Sequence, residues 1–258
     1  QHEIDLRFND AVAMADAVMT YKLVVKEIAM KYGVFASFMP KPMADQPGSG
    51  MHVHQSLFDF EGNNVFFDEN DPSGHNLSAI AKSYLAGLIK YAPEFTLITN
   101  QYVNSYKRLA GGFETPMHLA WAHSNRTALV RVPSYKPRKA SACRLELRSP
   151  DAAANPYLTF ACMLAAGLKG IEDGLEAPEP IGSEDLFKLS REELAERGIR
   201  TLPYCLGEAI DLFEQSELMR EVLGDHICRF LVETKRAEWE EYLGTVSRWE
   251  TERYLHVL

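Results

Sequence analysis

Hydrophobic and polar positions recur along this chain with two periods, and each change of period marks the edge of an element. Ile4, Leu6 and Phe8 alternate with Glu3, Asp5 and Arg7, which predicts a half-buried strand with one charged face. At Asn9-Asp10 the period lengthens. Ala11, Met14, Ala15, Val18, Tyr21, Val25, Ile28, Ala29 and Tyr32 lie at helical spacing, with an N-cap ahead of them and Gly33 as the stop. Residues 34–39 read as a short apolar strand. Pro40 and Pro42 then forbid regular pairing and make 41–50 a loop. The alternation returns over 51–58. It places His52, His54 and Ser56 on one face and Met51, Val53 and Leu57 on the other.

Glu61-Gly62-Asn63-Asn64 predicts a turn and 65–67 a hairpin partner. After a polar loop at 68–76, residues 77–91 predict a helix ended by Pro93. The segment 104–116 is dense in polar residues, and its Gly111-Gly112 pair predicts a mobile flap carrying Glu114. Three strands are expected over 119–123, 127–132 and 143–148. The last puts Arg144, Glu146 and Arg148 on one face. Asn155-Pro156 opens a helix to 173, and Gly167 and Gly170 predict close packing on a sheet. A linker follows at 177–181. Ser190 with Glu193 forms a capping box, and helices are expected at 206–215 and 227–242. The tail, 246–258, carries Trp249, Tyr254 and Leu255 among charges. It reads either as a docking segment for another subunit or as a helix on its own domain.

Composition narrows the classes. The 258 residues are 46% hydrophobic and 24% charged, as in an ordinary globular protein, and suffice for one large domain or two small ones. A net charge of −9 argues against a nucleic-acid partner, although a local arginine cluster can still bind an anion. No run is apolar enough to span a bilayer, and no secretory signal is present. Cys143, Cys162, Cys205 and Cys228 form no paired motif. They read as reduced thiols, which places the protein in the cytoplasm with no membrane partner. The chain opens at Gln1 inside an alternating pattern. The expectation is a piece of a longer polypeptide, with part of any site lying outside it.

The chemistry concentrates at Pro47-Gly48-Ser49-Gly50-Met51-His52-Val53-His54-Gln55-Ser56. Two imidazoles and a hydroxyl beside a glycine turn suit a metal and a phosphate-bearing ligand; the plain alternative is the wet side of an edge strand. Glu3, His52 and Glu146 each sit on the polar face of a different expected strand. Oxygen ligands with one imidazole favour Mg²⁺ or Mn²⁺. Arg108, Arg126, Arg131, Arg144 and Arg148 could neutralise phosphate oxygens around that metal, which is a phosphoryl-transfer set. The arginines beside Glu146 also fit a structural ion ladder. No Walker or Rossmann glycine motif occurs. On residues alone, a metal-dependent phosphohydrolase is the rival reading, disfavoured because a flap would exclude its water.

These motifs, in this order, closely resemble class I glutamine synthetases. The resemblance runs through Gln1-His2-Glu3-Ile4, Lys41-Pro42-Met43, the glycine turn and its strand, and Asn104-Ser105-Tyr106-Lys107-Arg108. It continues through Phe113-Glu114-Thr115-Pro116, Asn125-Arg126, Leu129-Val130-Arg131-Val132-Pro133 and Arg144-Leu145-Glu146-Leu147-Arg148-Ser149-Pro150-Asp151. It covers essentially the whole chain. It implies an α+β fold: a curved, mainly antiparallel sheet backed by helices, of the glutamine synthetase/guanido kinase-like type, spanning 1–258. The family's N-terminal β-grasp domain and some metal carboxylates are absent from the chain.

The implied activity joins ammonia to the γ-carboxylate of L-glutamate through a γ-glutamyl phosphate, consuming ATP. The implied roles are Glu3 as ligand of one metal and His52 and Glu146 as ligands of a second, with Mg²⁺ or Mn²⁺ bound. His54, Ser56, Arg131 and Arg144 would contact ATP. Arg108 and Arg148 would grip glutamate carboxylates, and Gly48 would meet its amino end. Arg126 would stabilise the transferring phosphoryl group, and Glu114 would close the flap and take a proton from ammonium. Self-association into a ring-type homo-oligomer, a dodecamer, is implied, with 246–258 reaching the facing ring. Two departures from the family pattern, Pro47 in place of Asn and Ala110 in place of the flap's proline, sit near the amino-acid site. They bring in the alternative of an amine or polyamine as acceptor. Phe187 falls where some bacterial members carry an adenylylated tyrosine, which implies that this regulation is missing.

Overall fold

The molecule is seen in a computed structural model that describes residues 2–110, 115–123, 125–135 and 139–258. A four-stranded sheet carries the site. Its strands are β1 (Val53–Gln55), β2 (His118–Ala122), β3 (Ala128–Arg131) and β4 (Leu145–Leu147), in the order β1-β4-β3-β2. β4 is antiparallel to both neighbours, and β2 runs parallel to β3, so the sheet is mixed and mainly antiparallel. Leu145 and Leu147 are fully buried, as the alternation requires, and join one continuous core with Val130 and the helices.

Those helices are α1 (Ala11–Lys31), α2 (Ala79–Thr99), α3 (Val103–Leu109), α4 (Pro156–Glu172), α5 (Arg191–Glu196), α6 (Leu206–Gln215), α7 (Glu217–Leu243) and α8 (Arg248–Tyr254). α4 starts as its sequence predicts: Asn155 accepts from the N–H groups of Tyr157 and Leu158, with Pro156 at the first position. The capping box of Ser190 and Glu193 also forms at α5.

Several expectations are corrected. Pro93 does not end its helix; α2 continues through it to Thr99. An interior proline costs about 3 kcal/mol. The helix offsets that by burying fourteen of its residues against the core. Gly167 and Gly170 pack on a helix rather than a sheet. A Cβ on Gly170 would sit 2.2 Å from the Ser83 carbonyl oxygen, and one on Gly87 would sit 2.2 Å from that of Ala166, so α2 and α4 meet backbone to backbone. Residues 3–8 and 34–39 form no strands. A strand needs a neighbour to satisfy its backbone groups, and among the described residues nothing pairs with these. Phe35 is 84% exposed, and Phe8 has its ring contact only with Phe58 among the described residues. Residues 104–109, read as the start of the flap segment, belong to the helix α3. α7 bends at Gly224, whose φ of +77° breaks the helix near the expected start of the last long helix.

The segment after 243 forms α8, capped by Ser247 and Glu250 and largely exposed. All four cysteines are free thiols. Among the described residues no helix is long and apolar enough to cross a membrane.

Candidate active site

Register builds the site around Glu146. On β4 it lies opposite His54 of β1 and Arg131 of β3, while Arg144 and Arg148, two residues to either side, share its face. Arg131 Nε donates to Glu146 Oε2 at 2.5 Å, and Arg148 Nη1 donates to Oε1 at 3.0 Å. His52 Nδ1 stands 3.4 Å from Oε1. Glu146 is 1% exposed. Burial pushes its carboxyl up, but the Arg131 hydrogen bond and the nearby Arg148 charge more than offset this and hold it below the usual range. It is therefore a buried anion paired with two cations and held by side chains.

The two histidines are kept neutral. His52 is pushed down to about 3, first by burial and then by Arg148 and Arg108, against a partial pull from Glu146. His54 is lowered by burial, with Arg144 and Arg131 adding to it and Glu146 and Asp5 opposing. Arg144 Nε donates to His54 Nδ1 at 3.2 Å, so that nitrogen is the acceptor of the ring. A neutral imidazole beside an ionised carboxylate has the right donor chemistry for Mg²⁺ or Mn²⁺. Two ligands alone do not make a metal site, and among the described residues no group of three histidine, cysteine or acidic side chains is arranged to hold an ion. Glu3 is exposed in the irregular segment ahead of α1.

The glycine turn has a structural reason of its own. Arg108, on α3, is 3% exposed and passes directly beneath it. Its Nη1 donates to the Ser149 carbonyl at 2.7 Å and the Pro150 carbonyl at 3.3 Å, and its Nη2 donates to the Arg148 carbonyl at 3.2 Å. A Cβ on Gly50 would lie 2.5 Å from Arg108 Nη2. A Cβ on Gly48 would lie 2.9 Å from Arg108 Cγ and 2.5 Å from the Pro40 carbonyl oxygen. The turn is glycine-rich because an arginine fills the space under it.

The remaining residues singled out by sequence fall as follows. The Ser56 hydroxyl donates to the Cys143 carbonyl at 2.9 Å. Arg126 is exposed in the turn between β2 and β3. Glu114, with Gly111 and Gly112, lies outside the described residues. The fold thus gathers His52, His54, Arg131, Arg144, Glu146 and Arg148 on one sheet face, with Arg108 below.

Sequence reasoning missed two residues that hold the segments beside this face. Asp151 is fully buried. Its main chain bridges Gly50 and its N–H donates to the Thr99 carbonyl, and its carboxylate accepts from Ala153 N–H and Asn100 Nδ2. Asn104 pairs with Lys41. Both stand inside the quoted motifs, but Asn100 lies 51 residues from Asp151 and Lys41 lies 63 from Asn104, so no local signal marks these pairings.

Comparison with known proteins gives this geometry a family. The family model described as glutamine synthetase, catalytic domain, matches residues 1–254. The glutamine synthetase of Mycolicibacterium smegmatis is 50% identical over 255 residues, covering 99% of this chain and 56% of that protein. The glutamine synthetase of Methanosarcina mazei is 48% identical over 258 residues, covering 100% of this chain and 56% of that protein. The chain therefore spans little more than half the length of the curated relatives it matches. Among solved structures, ligand-free GmaS superposes with a TM-score of 0.82 at 36% identity, covering 95% of this chain and 54% of that one. A GmaS/ADP complex gives 0.84 at 35% identity, covering 97% and 56%. Together with the carboxylate, imidazole and arginine face, these matches show that the chain belongs to the glutamine synthetase catalytic-domain family.

Proposed function

We propose that the protein carrying this chain ligates ammonia to L-glutamate with ATP, giving glutamine, ADP and phosphate. The observation that carries this reading is the ionised Glu146 with neutral His52 and three arginines on one sheet face, in a chain half identical to named glutamine synthetases. A γ-carboxylate oxygen of glutamate attacks the terminal phosphorus of ATP, and ADP leaves. Ammonia nitrogen then attacks the activated carbonyl carbon, phosphate leaves, and one proton passes to a base.

In this reading His52 and Glu146 hold one divalent cation. The second lone pair on each Glu146 oxygen remains available beside its arginine. Glu3 serves another cation, with donors from outside the described residues. When bound, the cations neutralise charge on the phosphate oxygens. Arg131, Arg144, His54 and Ser56 orient ATP, and Arg126 meets the transferring group. Arg148 grips a glutamate carboxylate. Arg108 would do so by exchanging one of its three carbonyl acceptors for a substrate oxygen. Gly48 offers main chain to the amino end, and Glu114 is the base. The exposed 246–258 tail supports assembly into a ring-type homo-oligomer, through burial of Trp249 and Leu255 on a facing copy.

Pro47 supports a second reading, an amine or polyamine as acceptor, because it leaves the turn one donor poorer beside Gly48. Phosphate release by the complete protein from ATP and glutamate separates the two. Release with ammonium is expected; release with amines alone would replace the first reading by the second. Release with neither would sink both.

A further inference from the structure

We propose that Asn104 is a positioning residue for the amino-acid side of the site: its amide clamps the 40–50 loop onto α3 and so fixes the place of Gly48. The inference rests on the glutamate reading above.

The clamp is two-sided. Lys41 N–H donates to Asn104 Oδ1 at 2.7 Å, and Asn104 Nδ2 donates to the Lys41 carbonyl at 2.9 Å. The side chain thus satisfies both main-chain groups of one residue, as a neighbouring strand would. This double pairing also fixes which amide atom is which, since the flipped rotamer would set donor against donor. It also supplies partners for an irregular segment that Pro40 and Pro42 keep out of the sheet.

From that anchor the loop closes on itself. Ser49 N–H donates to the Pro40 carbonyl at 2.8 Å, and Lys41 Nζ donates to the Gln46 carbonyl at 2.5 Å. Gly48 thereby lies inside a closed loop, one residue before the closing Ser49, and the loop's entry runs beside Lys41, Asn104's partner. Asn104 and Arg108 are four residues apart and share one face of α3. One holds the loop's entry. The other fills the space beneath its glycines. Asn104 itself touches none of the gathered site side chains in the contacts above, so it acts through the loop.

The amide has no chemistry that the reaction needs, and its effect falls on geometry. Displacing the turn weakens the contact to the amino acid and leaves the sheet face that meets ATP where it is.

The test compares the wild-type complete protein with Asn104→Ala and Asn104→Asp, by hydrogen exchange and by steady-state phosphate release. In Asn104→Ala, amides of 41–50 should exchange faster while those of α2 and α4 keep their protection. KM for glutamate should rise about tenfold, the scale of two lost hydrogen bonds, with KM for ATP within about twofold. Asn104→Asp keeps the acceptor for Lys41 N–H and loses the donor, so it should fall between. Unchanged exchange in 41–50 overturns the clamp. Faster exchange with both KM values unchanged, or raised alike, overturns the positioning role. If the wild-type protein releases no phosphate with glutamate, the functional reading fails, and the exchange comparison still decides for or against the clamp.

Discussion

Two buried carboxylates, Asp71 and Glu146, carry the same charge in opposite kinds of surroundings. Asp71 closes a loop on itself. It accepts main-chain N–H groups from Ser73, His75 and Leu77, the Ser73 hydroxyl, and Lys82 Nζ at 2.6 Å from α2. Burial raises its carboxyl, but Lys82 and these donors outweigh it and hold the group well below the carboxylate range. Glu146 is served by side chains from three strands, and its neighbours are guanidinium and imidazole groups. A carboxylate bound by its own loop's backbone fixes a shape. A carboxylate bound by cationic side chains on a sheet face holds a set of groups that a ligand can recruit.

The strongest way to break this contrast is to neutralise each group. Glu146→Gln should lower the rate of phosphate release about 100- to 1,000-fold, the usual scale for removing one preorganised electrostatic group. The amide oxygen still accepts from Arg131 but its NH2 faces the buried Arg148, so the urea unfolding midpoint should fall as well, and the rate is compared per folded molecule. Activity near wild type would show that Glu146 is only an ion ladder. Asp71→Ala should act on stability alone. It leaves Lys82 and three main-chain donors without their acceptor, which should cost about 3 kcal/mol in urea unfolding. The turnover of the folded fraction should be unchanged. Lost turnover at unchanged stability would erase the distinction.

A smaller effect separates the two by pH. His52 has its folded-state pKa near 3, below the ordinary 6.5, so the unfolded chain takes up that proton first as pH falls. Stability is complete above about pH 6.5 and declines toward pH 3. Asp71 also titrates lower when folded, so its contribution is complete above about pH 5 and is lost only below about pH 4. His52→Gln should make the decline between about pH 6 and 4 shallower, and Asp71→Asn should flatten only the more acid part. Urea melts across that range read both slopes. Identical profiles for the two variants would contradict the separate placement of the groups.

Much of the fold is legible locally. The alternation around Glu146 names its face correctly, and capping residues mark the starts of α4 and α5. The glycine turn is visible as a turn, but its occupant is not. Only coordinates reveal that Arg108 fills the space beneath Gly48 and Gly50. The charged alternation of 3–8 reads as a strand because period alone cannot say whether a neighbour exists.

The sequence by itself determined where α1, α4, α5 and α6 begin, which side chains of the site share a face, and the family whose motifs they carry. These depend on spacing and capping within a few residues. Tertiary structure alone decided that α2 runs through Pro93, that Gly87 meets Gly170, and that Asn104 holds Lys41. Each is a contest between a local cost and contacts contributed by a distant part of the chain, and its outcome depends on packing that no local pattern encodes.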